Sequence, residues 1–173
     1  LKATHGEATI SYDPNARPTL MGDPQEARNR VEEIVVLSDV VKVSDQDVEW
    51  FYPDRAIGDV VQDWLAMGPS LVVVTRGGEG ATFAVRGADP VVAASADVQM
   101  VDTVGAGDSF MAGLLSGLLD AGLLGGEGAR VKLGQATPGD VLPAVQRAIA
   151  TSGVTVSRAG AYAPTRKELE TVL

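Results

Sequence analysis

The sequence predicts an α/β fold in which a largely parallel central sheet lies between two layers of helices, as a three-layer sandwich. Strand-like and helix-like segments alternate along the 173 residues. The segment "SLVVVT" is apolar without interruption, as in a strand that is covered on both faces. With 45% hydrophobic and 21% charged residues, the composition is that of a globular protein, and the length suits one domain over residues 1–173.

The first half of the chain alternates strands with helices. "EATISYDPN" predicts a short strand that ends in the polar turn "DPN". Asp23 followed by Pro24 is typical of a helix start, and apolar residues follow at helical spacing. "DVVKVS" predicts a buried strand, after which Ser44 or Asp45 caps a short helix. "IGDVVQDWLAMG" predicts a further helix, which Gly68 ends before the strand "SLVVVT".

The second half predicts an antiparallel pair of strands followed by helices. The glycine turn "RGGEG" leads into "ATFAVRG" and "PVVAAS", which are typical of two antiparallel strands. The string "DTVGAGDSF" precedes a helix of about 15 residues from Asp108 onward. "GLLGGEGARVKLGQ" is rich in glycine, and we expect a surface excursion there. Two helices follow: "TPGDVLPAVQRAIATSG", begun by Thr137 and Pro138, and "TRKELETVL", capped by Thr165 with Glu168 three residues later.

Charge and composition argue against several classes of function. The net charge of −9 and the sequence pI near 4.5 disfavour a nucleic-acid or anionic-membrane surface. The absence of cysteine excludes disulfides, thiolate catalysis and cysteine zinc sites, and it fits a cytoplasmic protein. The single histidine, His5, is expected in an exposed loop rather than in a Ser-His-Asp triad. No apolar run approaches the roughly 20 residues of a membrane span, and the first residues lack the apolar core of a secretory signal.

Polar and glycine-rich segments recur at the predicted junctions between strands and helices. They are residues 13–15, 44–47, 75–80 and 102–108. Ligands of open α/β sheets bind in the crevice outside the carboxyl ends of the strands. The four segments therefore predict a single crevice, in which Asp102 lies at a strand end and could hold a cation or orient the loop.

The segment "GAGD" has both a chemical and a structural interpretation. Gly105 and Gly107 allow a tight turn that exposes backbone N–H groups, and the following helix adds the positive end of its dipole. Such a turn can hold the oxygens of a transferring phosphoryl group. Asp108 beside it can accept a proton from an attacking hydroxyl. Glycine turns and aspartate caps also start many ordinary helices, so the four residues alone do not decide between the two.

The whole string "DTVGAGDSF" resembles the second signature of the ribokinase-like sugar kinases, the PfkB family. Other segments resemble the same family in the same order: "SYDPNARPTL", "DVVKVSDQDVEWF", "VVVTRGGEGATF" and "SGVTVSRAGAYAPT". The first of these is similar to the fructokinase turn "DxNxRxxLW", with Met21 where a tryptophan is expected. The second is similar to the family's Asn-x-x-Glu segment, with Ser44 at the asparagine and Asp47 at the acidic end.

The resemblance implies an ATP-dependent kinase that phosphorylates a sugar hydroxyl, with fructose as the favoured acceptor and ATP, Mg²⁺ and a potassium-like ion as cofactors. It implies that Asp108 is the catalytic base and that the backbone of Gly105, Ala106 and Gly107 is the anion hole. The implied nucleotide-binding residues are Asn15, Arg17, Ser44, Thr75, Gly77 and Gly80. The implied metal-binding residues are Asp47, for the metal near the phosphates, and Asp102, Val104, Thr155, Arg158 and Gly160, for the potassium-like ion.

Each of these assignments has a simpler structural alternative. Residues 75–80 could form a plain hairpin turn, Asp47 could be a solvated helix carboxylate, and Arg17 could be an ordinary surface arginine. Three aromatic residues, Trp50, Trp64 and Phe110, are expected in the core rather than in a binding site.

Family members are close to twice as long, and the resemblance places this chain in their C-terminal, nucleotide-binding portion. The N-terminal part, the small β-sheet lid and most sugar contacts are then missing. We expect an uncovered sheet edge and an uncovered apolar face, and hence a homodimer or association with the missing half. Without a lid that excludes water and positions the hydroxyl, the chain is expected to be inactive alone.

Other functions stay open to different degrees. A kinase for another sugar, such as 2-keto-3-deoxygluconate, is the nearest alternative, and a nucleoside acceptor is less favoured. A non-catalytic nucleotide-binding or interaction module is a second class. A dinucleotide-dependent oxidoreductase is disfavoured because no glycine fingerprint follows the first strand. A Walker-type P-loop is also absent, since no Gly-Lys-Ser/Thr occurs in the sequence.

Overall fold

A computed structural model describes residues 8–95 and 98–170, so His5 lies outside the described residues. The described strands form one sheet in the order β1-β2-β3-β4-β5. The strands are β1 Ser11–Tyr12, β2 Val40–Ser44, β3 Leu71–Thr75, β4 Ala81–Val85 and β5 Val91–Ala93. The first three are parallel, whereas β4 is antiparallel to β3 and β5 is antiparallel to β4. The α/β prediction is confirmed, with a mixed sheet whose parallel part comes first.

Eight helices occur among the described residues. They are α1 Pro18–Met21, α2 Pro24–Val35, α3 Asp45–Phe51, α4 Ile57–Met67, α5 Ala106–Asp120, α6 Ala129–Gly134, α7 Pro138–Val156 and α8 Arg166–Leu169. The predicted starts of α2 and α7 at Asp23 and Thr137 are confirmed, since Asp23 accepts the backbone N–H of Glu26 and Thr137 forms a capping box. None of these helices is both long enough and apolar enough to cross a membrane.

The short helix α8 begins in the predicted capping box. The Thr165 side chain accepts from the Glu168 N–H, while the Glu168 carboxylate accepts from the Thr165 N–H at 2.9 Å. The backbone hydrogen bond from Thr165, followed by bonds from the Tyr162 and Thr165 hydroxyls, lowers the pKa of Glu168 to about 2. Glu168 is therefore a fixed carboxylate near the end of the chain.

Apolar side chains cover both faces of β2 and β3, because successive residues of a strand point to opposite faces. Val41 and Val72 pack with α2, α3 and α4 in one core cluster, whereas Val40 and Val73 pack with α5 and α7 in the other. The three-layer arrangement is thus confirmed. Among the described strands, β1 lies at one end of the sheet and pairs with β2, and the predicted uncovered edge stays a prediction. The predicted uncovered apolar face is not found on β2 or β3, since their valines and Leu71 are fully buried.

The aromatic residues follow the prediction with one exception. Trp64 and Phe110 are core residues, at 0% and 3% exposure. Trp50 is only partly buried and packs against the α2–α4 cluster.

Helices α5 and α7 pack against each other with unusually close backbones. A Cβ built on Gly117 would lie 2.6 Å from Ala144 Cα, and one on Gly113 would lie 2.9 Å from Ala148 Cα. Only glycine permits this approach without displacing α7. The close packing fixes where the first turn of α5 meets the sheet.

The glycine-rich segment at 122–135 differs from the prediction of a surface excursion. It contains α6, whose Ala129 and Leu133 are buried in the α5–α7 core cluster. Arg130 Nε lies 2.7 Å from Asp39 Oδ1, and Asp39 Oδ2 accepts the backbone N–H of Ile10 at 2.9 Å. Alanine and leucine at helical spacing supply enough apolar surface to hold the segment in place despite its glycines.

Two local predictions near the GAGD segment need correction. Helix α5 begins at Ala106 rather than at Asp108, because Gly105 takes the cap position. Asp102 does not follow a strand: residues 98–103 have no strand pairing, and the N–H groups of Val101 and Asp102 donate to Val156 O at 2.7 and 3.1 Å. The C-terminal end of α7, rather than the sheet, therefore anchors this segment.

Candidate functional site

A cleft of about 480 Å³ lies where β1, β2 and β3 end and α5 begins. It brings together residues from all four segments that the sequence singled out. The predicted site residues that line it are Asn15, Arg17, Ser44, Asp47, Thr75, Gly77, Gly80, Ala106 and Gly107. Gly105, Asp108, Asp102, Val104, Thr155, Arg158 and Gly160 are not among the lining residues. One crevice thus joins the strand ends to the first turn of α5.

The turn after β1 holds Asn15 and Arg17 at the rim of the cleft. Asn15 has a positive φ of 44°, and its N–H donates to Asp13 Oδ1 at 3.2 Å. Arg17 Nη1 donates to Asn15 Oδ1 at 2.6 Å and to Ala16 O at 2.9 Å. The guanidinium is therefore folded back onto its own turn, and both side chains are exposed.

Ser44 and Asp47 lie where β2 passes into α3. Ser44 ends the strand with extended backbone, and its hydroxyl accepts the Asp47 N–H at 3.0 Å as the helix cap. Asp47 lies in the first turn of α3 and is partly buried. The Ser44 hydroxyl thus caps α3, and the Asp47 carboxylate borders the cleft beside it.

Residues 75–80 connect β3 to β4 as a hairpin. Thr75 ends β3, and Gly77 begins a 3-10 turn at Gly77–Glu79. Arg76 N–H donates to Gly80 O at 2.8 Å, and Gly80 N–H donates to Gly77 O at 3.2 Å. The turn is therefore a regular hairpin connection that also forms one wall of the cleft.

The first turn of α5 presents backbone N–H groups. Gly105 caps the helix with a φ of 79°, a left-handed conformation that favours glycine. Ala106 N–H donates to Thr103 O at 3.2 Å, whereas the N–H groups of Gly105, Gly107 and Asp108 have no hydrogen-bond partner among the described residues. The Asp108 carboxylate is exposed and likewise has no described partner. A helix start of this kind can bind an anion through N–H groups and dipole.

A second group of predicted residues lies behind this turn. Asp102 Oδ1 accepts the Val104 N–H at 3.0 Å, and Asp102 Oδ2 accepts the Gly160 N–H at 2.8 Å. These two hydrogen bonds, with a smaller one from Thr103, lower the pKa of Asp102. Thr155 Oγ1 lies 2.8 Å from Ser109 Oγ, in α5.

Arg158 uses its side chain elsewhere. Its guanidinium bonds Glu168 at 2.9 Å and lies 4.2 Å from the centre of the Tyr162 ring. Arg158 could therefore offer a cation only its backbone oxygen.

Lys42 is a site residue that the sequence analysis missed. Its Nζ lies 2.8 Å from Asp13 Oδ2, and a Cβ built on Gly107 would lie 3.0 Å from the same nitrogen. The lysine side chain is only 6% exposed and lines the cleft. A lysine within the apolar strand "DVVKVS" could have revealed it, because buried lysine is rare unless it is paired.

Comparison with known proteins identifies the family of this chain. The sequence profile described as "pfkB family carbohydrate kinase" matches residues 1–168. The chain belongs to the pfkB family of carbohydrate kinases. The resemblance that the motifs indicated is thereby confirmed over nearly the whole sequence.

The pfkB relatives include enzymes with different named sugars. A fructokinase from Rhizobium leguminosarum bv. trifolii is 41% identical over 109 residues, which are 63% of this chain and 33% of the relative. A 2-dehydro-3-deoxygluconokinase from Bacillus subtilis is 33% identical over 122 residues, 65% of this chain and 35% of the relative. The aligned part of the chain thus spans about a third of the length of these curated relatives.

A solved structure matches a larger part of the chain. A double mutant of fructokinase from Vibrio cholerae O395, crystallised with fructose, ADP and potassium ion, superposes with a TM-score of 0.77 at 28% identity. The match covers 94% of this chain and 49% of that protein. The ribokinase-like fold is therefore shown for the portion present here.

Few acidic side chains lie close together among the described residues. Residues 8–95 and 98–170 contain no cluster of three or more acidic or histidine side chains that could hold a metal ion. Magnesium at phosphate sites commonly uses one or two carboxylates and completes its shell with phosphate oxygens and water. Asp45 and Asp47 both line the cleft, and the carboxylate of Asp47 fits this mode of magnesium binding.

Proposed function

We propose that this chain carries the nucleotide-binding and phosphoryl-transfer part of an ATP-dependent sugar kinase, with fructose as the favoured acceptor. The observation that carries the proposal is that the first turn of α5, where Gly107 keeps a free N–H group, borders one cleft together with the strand-end segments. The named fructokinase relatives support the acceptor.

Asp108 is the proposed general base. It would take the proton from the sugar hydroxyl while that oxygen attacks the terminal phosphorus of ATP. The N–H groups of Gly105 and Gly107 would donate to the oxygens of the phosphoryl group in transit. Ala106 contributes its place in the turn rather than a donor, because its N–H is already bound to Thr103 O.

Lys42 is the proposed positive charge under this turn. Its ammonium group has one described partner, Asp13, and keeps further N–H donors in the cleft. A partly desolvated cation next to Gly107 would attract phosphate oxygens more strongly than a surface lysine.

The remaining cleft residues would hold the nucleotide and its ions. Residues 75–80 would contact the nucleotide as a wall of the cleft, and Asn15, Arg17 and Ser44 would face the phosphates. Asp47 would bind Mg²⁺, which on binding neutralises phosphate charge. The residues behind the first turn of α5 would hold a potassium-like ion with oxygen atoms of Asp102, Val104, Thr155, Arg158 and Gly160.

A second acceptor follows from one observation. The Bacillus subtilis relative acts on 2-dehydro-3-deoxygluconate by name, at a similar coverage of this chain. A sugar acid is therefore the alternative acceptor.

Calorimetry with ADP and Mg²⁺ tests the nucleotide site, and a coupled assay with fructose and 2-keto-3-deoxygluconate tests transfer. We expect ADP binding in the wild-type chain and in Asp108→Asn. Asp89→Asn is the matched control, because this exposed carboxylate lies in the β4–β5 turn at the opposite end of the sheet.

A folded chain that binds no ADP would contradict the proposal. Transfer to a sugar that Asp108→Asn abolishes and Asp89→Asn preserves would support the base. The same transfer would overturn the expectation that the chain alone is inactive. ADP binding without transfer to either sugar would agree with that expectation.

A further inference from the structure

Glu168 bonds to the loop behind the candidate site as well as to its own helix. Its Oε1 accepts the Tyr162 hydroxyl at 2.8 Å and Arg158 Nη2 at 2.9 Å. Its Oε2 accepts the N–H and the hydroxyl of Thr165, at 2.9 and 2.8 Å. Four charge-assisted hydrogen bonds thus converge on one carboxylate, and the two from Arg158 and Tyr162 tie α8 to residues 158–162.

The loop at 158–162 lies between Glu168 on one side and the start of α5 on the other. Gly160 N–H donates to Asp102 Oδ2 at 2.8 Å, and Tyr162 O lies 2.9 Å from Thr155 Oγ1. A Cβ built on Gly105 would lie 3.1 Å from Ala161 Cβ. The loop therefore touches both the proposed cation-binding group and the turn that carries the free N–H groups.

We propose that Glu168 is a positioning residue that holds the 158–162 loop against Asp102 and Gly105, and so sets the geometry of the proposed cation site. This inference rests on the proposed function for the cation site itself. Glu168 touches neither substrate nor ion. It acts through Arg158 and Tyr162, whose backbone the loop presents to the site.

Glu168 gives the loop at residues 158–162 its attachment to α8. Without Glu168 the loop is still attached by hydrogen bonds such as Gly160 N–H to Asp102 Oδ2 and Thr155 Oγ1 to Tyr162 O, and by its contact with Gly105. Glu168 comes from a helix whose Leu169 is buried, which gives the loop a fixed attachment point. Releasing Glu168 should let residues 158–162 sample other positions while α7 stays folded.

The test measures ADP affinity of the 173-residue chain as a function of KCl concentration, with choline chloride keeping ionic strength constant. Glu168→Gln removes the charge, and Tyr162→Phe removes one loop contact while leaving the capping box of Thr165 intact. Glu170→Gln is the matched control, because that exposed carboxylate has no described bond to the loop.

We expect Glu168→Gln and Tyr162→Phe to raise the half-saturating K⁺ concentration at least about fivefold, the fold-change that corresponds to the loss of one ordinary hydrogen bond. ADP affinity at saturating K⁺ should recover. Glu170→Gln should match the wild type. A role confined to helix stability would lower the unfolding midpoint without moving the K⁺ response.

Trypsin cleavage after Arg158 gives a readout that needs no ligand. The released loop should be cut faster in Glu168→Gln and Tyr162→Phe than in the wild type and in Glu170→Gln. Unchanged K⁺ response and unchanged cleavage in both variants would overturn the positioning role alone. A wild-type chain whose ADP binding ignores K⁺ would overturn the proposed cation site and the positioning role together.

Discussion

The ammonium nitrogen of Lys42 lies 2.8 Å from Asp13 Oδ2, and the two side chains are only 6% and 18% exposed. Lys42 lies in the middle of β2 and Asp13 follows β1, so the ion pair joins the turn after β1 to the neighbouring parallel strand. Each charge depends on the other, because a largely buried charge without a partner is costly.

Lys42→Met should lower both stability and nucleotide affinity. Methionine keeps the length of the side chain but leaves the Asp13 carboxylate unpaired, which costs about 3 kcal/mol of unfolding free energy. The lost cation should weaken ADP binding about tenfold or more. Urea unfolding and calorimetry measure the two effects.

The double variant Lys42→Met with Asp13→Asn separates these effects. It removes both charges, so stability should largely return while ADP affinity stays low. Lys132→Met is the control, since that lysine is exposed and unpaired among the described residues. Recovery of ADP affinity in the double variant would show that Lys42 acts only in folding.

Gly105→Ala should destabilise the chain by about 1–3 kcal/mol, because alanine pays for the left-handed backbone and its Cβ presses on Ala161. Gly122→Ala is the matched control: its φ is 68°, and a Cβ there would meet nothing within 4 Å. Thermal unfolding of both variants isolates the Ala161 contact. Equal losses in the two variants would mean that the loop yields to the added methyl group.

Tyr52 should make stability fall at alkaline pH. Burial, and then its hydrogen bond to Glu32, raises the pKa of Tyr52 above its ordinary value of 10.0. A raised native pKa contributes stability that is complete below pH 10 and is lost as pH rises toward the native value. The urea midpoint should therefore fall between about pH 9 and about pH 11.

Tyr52→Phe checks the cause of that fall. At neutral pH it should cost about 1–3 kcal/mol, because Trp64 Nε1 loses the acceptor that lies 2.7 Å away. Its midpoint should fall less than that of the wild type over the alkaline range. Parallel falls in both proteins would assign the pH dependence to other groups.

The sequence predicted the parts of the fold that depend on local chemistry. Caps at Asp23, Thr137 and Thr165 involve partners three residues away, and the apolar run in β3 needs only its own residues. The motif "DTVGAGDSF" identified the family because its residues are contiguous.

The parts that the sequence did not predict depend on distant partners. The bond between Asp39 and Arg130 spans 91 positions, and the pair of Asp13 and Lys42 spans 29. Neither the burial of α6 nor the place of Lys42 beside Gly107 can be obtained from local spacing. The roles of Asp108 and its neighbours stay predictions, because they concern contacts with a nucleotide, a sugar and ions rather than contacts within the chain.

Lys42 lines a cleft in a chain of net charge −9. A nucleotide carrying several negative charges is repelled by the excess of negative charge and attracted by the lysine, and at about 0.1 M salt both effects reach only roughly 10 Å. Because the negative charges are in excess, screening by added salt removes more repulsion than attraction. Nucleotide capture by such a chain should quicken as ionic strength rises, the reverse of the usual behaviour for a basic phosphate-binding surface.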